Sequence, residues 1–216
     1  YTHNLNNASP DYWKTDSDFF NNYKNKSANI KAEYKINDNN TVGFSYNLSS
    51  NKNNEKIKSS TRILDHTSAR EFLSDGDNLN RRKINNLSAF YDIKLDSVGS
   101  KLSFSGNIML NKSNANNFYN TIADETISTF VNPINDYKIY SGQVDFEKEF
   151  FKIKTEAGVK LTAIKNDSDF NFYDIINNQN INNEGRSNQF LYNEDNYAAY
   201  FSASYKINEK WDAKAG

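Results

Sequence analysis

Ile30 to Leu48 reads IKAEYKINDNNTVGFSYNL. Ile30, Ala32, Tyr34 and Ile36 alternate with Lys31, Glu33 and Lys35. After the run Asn37 to Asn40, Val42, Phe44, Tyr46 and Leu48 alternate with Thr41, Gly43, Ser45 and Asn47. A period of two puts every apolar side chain on one face of an extended strand, and a short Asn/Asp-rich break between two such runs makes a hairpin.

The same rhythm returns along the chain. Leu87, Ala89, Tyr91, Ile93 and Leu95 are followed across Asp96 to Ser100 by Leu102, Phe104, Gly106, Ile108 and Leu110. Tyr140, Gly142, Val144 and Phe146 precede Ile153, Thr155, Ala157, Val159, Leu161 and Ala163, with a turn near Lys148 to Phe151. Tyr197, Ala199, Phe201, Ala203 and Tyr205 meet Trp211, Ala213 and Ala215 across Asn208 to Lys210. Between the hairpins lie long polar stretches, about Ser49 to Arg82, Asn111 to Asp136 and Lys165 to Asp195, where the alternation fades. Short and long connections therefore take turns. Strands of about 9 to 11 residues, tight turns at one end and long loops at the other are the pattern of an outer-membrane barrel, with the tight turns periplasmic. This predicts three long external loops, with residues 1–26 belonging to a fourth.

Composition agrees. Only 37% of the 216 residues are hydrophobic, yet 14% are aromatic, with 14 Tyr and 15 Phe. Disordered chains lack aromatics, so this chain folds on a scaffold that needs one apolar side per element. The 26 basic and 27 acidic residues are interspersed, for a net charge of -1, which argues against a nucleic-acid partner. Cysteine is absent and His3 and His66 are the only histidines, which excludes disulfide scaffolds and thiolate metal sites. No stretch approaches the roughly 18 apolar residues of a membrane helix. Tyr1 at one end and Gly216 inside an alternating run at the other suggest a piece of a longer protein, whose export signal would lie outside it.

A soluble two-sheet sandwich alternates in the same way. Its core would contain voids opposite Gly106, Gly142, Ala157, Ala163, Ala199 and Ala203, whereas lipid chains conform to small residues, and long structureless loops are uncommon in compact domains. The barrel is therefore favoured. Rings near the short turns (Tyr34, Tyr46, Tyr91, Phe104, Phe146, Phe150, Phe151, Tyr205 and Trp211) read as an aromatic girdle at the headgroup level, or else as ordinary cross-strand aromatic pairs.

The run Asn188 to Gly216, NQFLYNEDNYAAYFSASYKINEKWDAKAG, resembles the TonB-dependent receptor barrels of the Bacteroidetes-type outer-membrane β-barrel family. The likeness lies in Phe190, Tyr192 and Glu194, in the strand Tyr197 to Tyr200, in Lys210 and Trp211, and in Ala215 and Gly216. Glu156, Gly158 and Lys160 in IKTEAGVKLTA are a second echo. The resemblance implies an all-β, antiparallel up-and-down transmembrane barrel of about 22 strands, of which this chain supplies about eight. Residues 1–216 would all belong to one barrel domain, with the plug domain and remaining strands absent. It also implies a bacterial outer-membrane receptor that takes up a scarce nutrient such as an iron chelate. The implied partners are outer-membrane lipid, the TonB complex through the missing plug and, as a further candidate, a surface lipoprotein. A passive porin or surface adhesin barrel without TonB coupling is the alternative.

Candidate sites are few, and no catalytic, cofactor or metal residue is assigned. Asp167, Asp169 and Asn171 space their oxygens like a calcium loop, but Phe172 stands where that loop needs Gly and Asn178 where it needs Glu. Glu71, Asp75 and Asp77 with His66, and Asp16 and Asp18 with His3, are acidic groups that polar loops commonly carry. Arg186, Gln189 and the run Asn177 to Asn183 could touch a ligand, though polar loop composition accounts for them. With no nucleophile and base set and no phosphate loop, an enzyme is not expected and no cofactor is called for.

Overall fold

The computed structural model describes residues 2–3, 12–65 and 68–216. Ten strands are present among them: β1 (Thr2–His3), β2 (Tyr12–Asn37), β3 (Asn40–Asp65), β4 (Ser68–Lys94), β5 (Lys101–Ile122), β6 (Thr126–Phe150), β7 (Ile153–Ile176), β8 (Gln179–Asn182), β9 (Asn188–Lys206) and β10 (Asp212–Ala215). All lie in one sheet with the order β1-β2-β3-β4-β5-β6-β7-β9-β10, and β8 pairs with the far end of β7. Every pairing is antiparallel between successive strands or across β8, so the chain runs up and down. The sheet is open. The eight alternating runs lie in β2 to β7, β9 and β10, as the sequence predicts.

The long connections are a correction. Residues 49–82 are not a loop: β3 and β4 stay paired from Asn40↔Ile93 to Asp65↔Ser68. Residues 111–136 continue β5 and β6 up to a break at 123–125, and residues 165–195 hold the far end of β7, all of β8 and the start of β9. Most of residues 1–26 that are described lie in β2. The physical reason is that a ladder does not need an apolar face. Cross-strand polar bonds extend it, among them Ser128 Oγ to Asn120 Oδ1 at 2.8 Å and Asn132 Nδ2 to Asn116 Oδ1 at 2.9 Å. Once both faces meet water the period of two vanishes from the sequence, although the strand continues. β2 and β3 are each 26 residues long, about 85 Å at 3.3 Å per residue, against the 9 to 11 residues a bilayer requires.

The chain has two unlike ends. At the short-turn end the breaks fall at 38–39, 95–100, 151–152 and 207–211, and the long polar extensions reach to the far end. Asp96 closes the turn between β4 and β5 by accepting from the Val98 and Ser100 amides, both at 2.9 Å, and Gly99 there takes φ +111, which an L side chain rarely adopts.

Among the described residues no second layer covers the sheet. Among the described residues the only buried hydrophobic side chains are Ala115 and Val131, while Val159 is 50%, Leu161 55% and Tyr197 75% exposed. A sandwich would bury one face of these strands, so the sandwich alternative is excluded for the described residues.

The apolar band runs obliquely across the sheet. It covers Ala28 to Ile36 on β2 and Tyr197 to Tyr205 on β9. Followed through the register, Tyr197 lines up with Leu161, Gly142, Gly106, Ala89, Phe44 and Ala32. Its edge has therefore moved four residues along the strands, about 13 Å, over six strand spacings of about 4.8 Å, a slope of roughly 25°. A layer that is horizontal in a bilayer must look oblique in the frame of tilted strands, and closed barrels tilt their strands by tens of degrees.

Candidate functional site

The functional surface is the pair of faces of this wall. On the apolar face, Tyr34, Val42, Tyr91, Phe104, Val144, Val159 and Ala199 form one row across seven strands through direct register pairs. Most of the predicted girdle residues share this face toward the short-turn end. Tyr46 does not: its partners Ile30 and Leu87 place it in the far half of the band, where its hydroxyl donates to Asn85 Oδ1 at 2.7 Å. Phe150 and Phe151 meet edge to face at 4.5 Å beside the β6–β7 turn, and Trp211 is exposed.

The opposite face is polar and ionic. Lys154 Nζ lies 2.8 Å from Glu147 Oε2 and 3.2 Å from Glu156 Oε1, and Lys214 reaches Glu156 Oε2 at 3.1 Å, so one chain of charges ties β6, β7 and β10. Lys101 pairs with Asp92 at 3.0 Å. Gln143 Nε2 donates to both Asp145 carboxylate oxygens at 2.9 Å, and the Tyr200 hydroxyl donates to Asp145 Oδ1 at 2.5 Å. Two glycines make room for rings on this face. A methyl group at Gly43 would collide with Phe90, and one at Gly158 with Tyr200 and the Asp145 carboxylate. This mixture of ion pairs and exposed charges suits a hydrated interior.

The sequence candidates disperse. Asp167, Asp169 and Asn171 lie on regular strand β7 at alternate positions, opposite Asp136, Ile134 and Asn132, so no calcium loop is formed there. Glu71, Asp75 and Asp77 face Arg62, Lys58 and Lys56 across the β3–β4 ladder. Glu71 also accepts from Ser60 at 3.0 Å, and Asp77 lies 3.7 Å from Lys56. His66 lies outside the described residues, and His3 is placed through its pairing with Trp13. Asp16 pairs with Lys14 at 2.7 Å, and its hydrogen bond, then its charge, hold the Lys14 ammonium above its usual range. Asp18 stands opposite Lys58.

Arg186 stacks over Phe172 at 4.9 Å and Gln189 Nε2 donates to Asp167 at 3.3 Å. Asn183 donates to Asp174 at 2.7 Å and caps the turn after β8, while Asn177 and Asn178 take the positive φ of the β7–β8 turn. These residues hold the far end of the sheet together. Sequence reading missed the stack of Phe118 on Phe130 at 4.5 Å and Phe130 on Tyr173 at 5.6 Å, because all three rings fall in stretches read as loops. Their equal register would have revealed it only if the strands had been extended that far.

No curated protein matches the sequence. Among solved structures, the ferric yersiniabactin uptake receptor FyuA from Yersinia pestis is similar with a TM-score of 0.48 and 10% identity, over 88% of this chain and 36% of that one. The ferric-catecholate import receptor Fiu from E. coli K12, in its open form, follows with a TM-score of 0.19 and 8% identity, over 88% of this chain and 50% of that one. The chain thus spans half or less of either receptor. The model of the outer membrane protein beta-barrel family matches residues 93–216, more than half of the chain. An exposed apolar band oblique to the strands, an up-and-down strand order and this match lead to one conclusion: the chain belongs to the outer membrane β-barrel family and resides in the bacterial outer membrane.

Proposed function

We propose that this chain is part of the barrel wall of a TonB-dependent receptor that takes up a scarce nutrient such as an iron chelate. In this reading residues 1–216 form part of one barrel domain. Further strands, to about 22 in all, close the sheet around a separate plug, and the far end faces the medium. The observation that carries it is the pairing of a lipid-type face with an ionic face on one open sheet, in a chain that also bears the Phe190-x-Tyr192-x-Glu194 and Lys210-Trp211 pattern. An open sheet of this size leaves edges that only more strands can satisfy. The ionic face supplies a wall for a hydrated or plugged lumen, which fits a transport role for this part of the protein. The TonB complex would act through the plug, and a surface lipoprotein would meet the far end.

The test is uptake by cells that make the full-length protein. Accumulation of a radiolabelled ferric chelate should depend on the protein and stop when TonB is deleted or the proton-motive force is collapsed. Uptake that survives both treatments, with steady ion conductance in planar bilayers, would establish a passive porin instead.

A further inference from the structure

The apolar band ends, on its far side, in lysine on six of its seven strands, β9 alone meeting an acid, Asp195. Moving outward along the same face, the first charged residue beyond the band is Lys26 on β2, Lys52 on β3, Lys83 on β4, Lys112 on β5, Lys138 on β6 and Lys165 on β7. The chain as a whole has a net charge of -1, so a run of one sign is not a consequence of composition. The other edge shows no such bias: the first charges met at the short turns are Asp38, Asp96, Lys148 and Glu209.

The register makes this ring unfavourable by itself. Lys24 is directly opposite Lys52, Lys52 opposite Arg81, Lys83 opposite Lys112 and Lys138 opposite Lys165. Side chains facing each other across antiparallel strands are about 5 Å apart at Cβ, and like charges there repel. Further out the same strands do the opposite, since Lys56, Lys58 and Arg62 each face an acid. Asp136 lies 3.2 Å from Lys112 and 3.3 Å from Lys138, but Lys26, Lys52, Lys83 and Lys165 form no ion pair with a described residue, and all four are exposed. The ring therefore calls for an external anion.

Its level identifies that anion. The lysines begin two or four residues past the last apolar side chain, about 7 to 13 Å along a tilted strand. A headgroup layer is roughly 5 to 8 Å thick on each side of the hydrocarbon, and a lysine stem can bend back toward it. We propose that this lysine ring binds the phosphate groups of a phosphorylated glycolipid, of the lipid A type, in the outer leaflet. The partner's leaflet rests on the orientation given under Proposed function. The phosphates would relieve the lysine repulsion while the acyl chains cover the band below.

The experiment uses the full-length protein in neutral detergent and follows glycolipid binding by native mass spectrometry. Bisphosphorylated lipid A should bind, and binding should weaken as salt rises. The Lys26→Gln/Lys52→Gln/Lys83→Gln variant should lose roughly a hundredfold in affinity, as expected for three basic residues at a charged lipid surface. The corresponding Lys→Arg variant should keep it, and Lys31→Gln/Lys160→Gln, on the opposite face, should leave it unchanged. Millimolar inorganic phosphate should fail to compete. Equal binding of dephosphorylated lipid A, tighter binding of phosphatidylglycerol, or an unaffected triple Gln variant would overturn the proposal. Orientation is read separately: an Asp124→Cys variant should react with a membrane-impermeant maleimide on intact cells. Failure to label would overturn the orientation and with it the choice of leaflet. Labelling combined with an unaffected triple variant would overturn the glycolipid site alone.

Discussion

Gly158 and Gly142 lie on adjacent strands and on opposite faces of the sheet, and their surroundings give opposite expectations. At Gly158 any Cβ meets the Tyr200 ring and the Asp145 carboxylate, whereas nothing lies within 4 Å of a Cβ at Gly142. Gly158→Val must move Tyr200 off Asp145 and should lower stability by roughly 1–3 kcal/mol through strain and a lost hydrogen bond to a charged group. Gly142→Val gains strand propensity and should be neutral or stabilising by up to about 1 kcal/mol. Urea unfolding in detergent micelles measures both, and the reverse order would show that the faces are misassigned. Asp38 supplies a pH signature at the β2–β3 turn. The Lys35 ammonium donates to Asp38 Oδ1 at 2.8 Å, and this hydrogen bond, then the Lys35 charge, hold the Asp38 carboxyl below its usual range. Because the folded pKa is depressed, the contribution is complete above the ordinary aspartate pKa and fades as pH falls through the folded value. Hydrogen exchange of a peptide covering residues 30–48 should therefore quicken, beyond its intrinsic pH trend, only below the ordinary carboxylate range. In Lys35→Met that extra step should vanish.

At the scale of the strand, what was legible in the sequence was the part that touches two different media. Val42, Phe44, Tyr46 and Leu48 alternate because one face meets apolar surroundings, and that asymmetry reveals both the strand and its face. Beyond Leu48 the faces carry Ser50, Lys52 and Asn54 on one side and Ser49, Asn51 and Asn53 on the other, so periodicity no longer distinguishes strand from loop. The ladder is nevertheless continuous. The calcium-like spacing at Asp167 misled for a related reason: alternate oxygens also arise on one face of any polar strand. The face assignment is tested by neighbours on β7. Val159→Arg places a charge on the apolar band and should cost roughly 2–4 kcal/mol near the bilayer midplane. Lys160→Gln, on the ionic face opposite Gln143, should cost well under 1 kcal/mol, since an exposed charge contributes little. Equal unfolding midpoints for the two variants would refute the assignment.

For the whole molecule the consequence is a wall that continues far beyond the bilayer as a paired sheet rather than ending in a fringe of loops. Hydrogen bonding holds the extension together. Between 49–65 and 68–82 each strand has an antiparallel neighbour, and β3 and β4 have one on each side over much of that length, so their amides are satisfied within the sheet rather than by water. The stacked Phe118, Phe130 and Tyr173 add apolar contact where the extension would otherwise be held by polar bonds alone. Amides in such a ladder exchange only when strands separate, whereas loop amides exchange freely. Deuterium uptake by the full-length protein in micelles should therefore be slow across 49–62 and 111–120, and fast at the breaks around 124–125 and 184–185. Limited proteolysis should cut at those same breaks first, because a protease needs a segment it can draw out of the sheet. Removing the stack with Phe130→Ala should raise exchange at 115–122 and 126–134 while leaving the membrane-level strands slow, since the register there is held independently by the apolar band. Rapid uptake throughout 49–62 in the unmodified protein would mean that the extensions are loops after all, and that the sheet stops where the alternation stops.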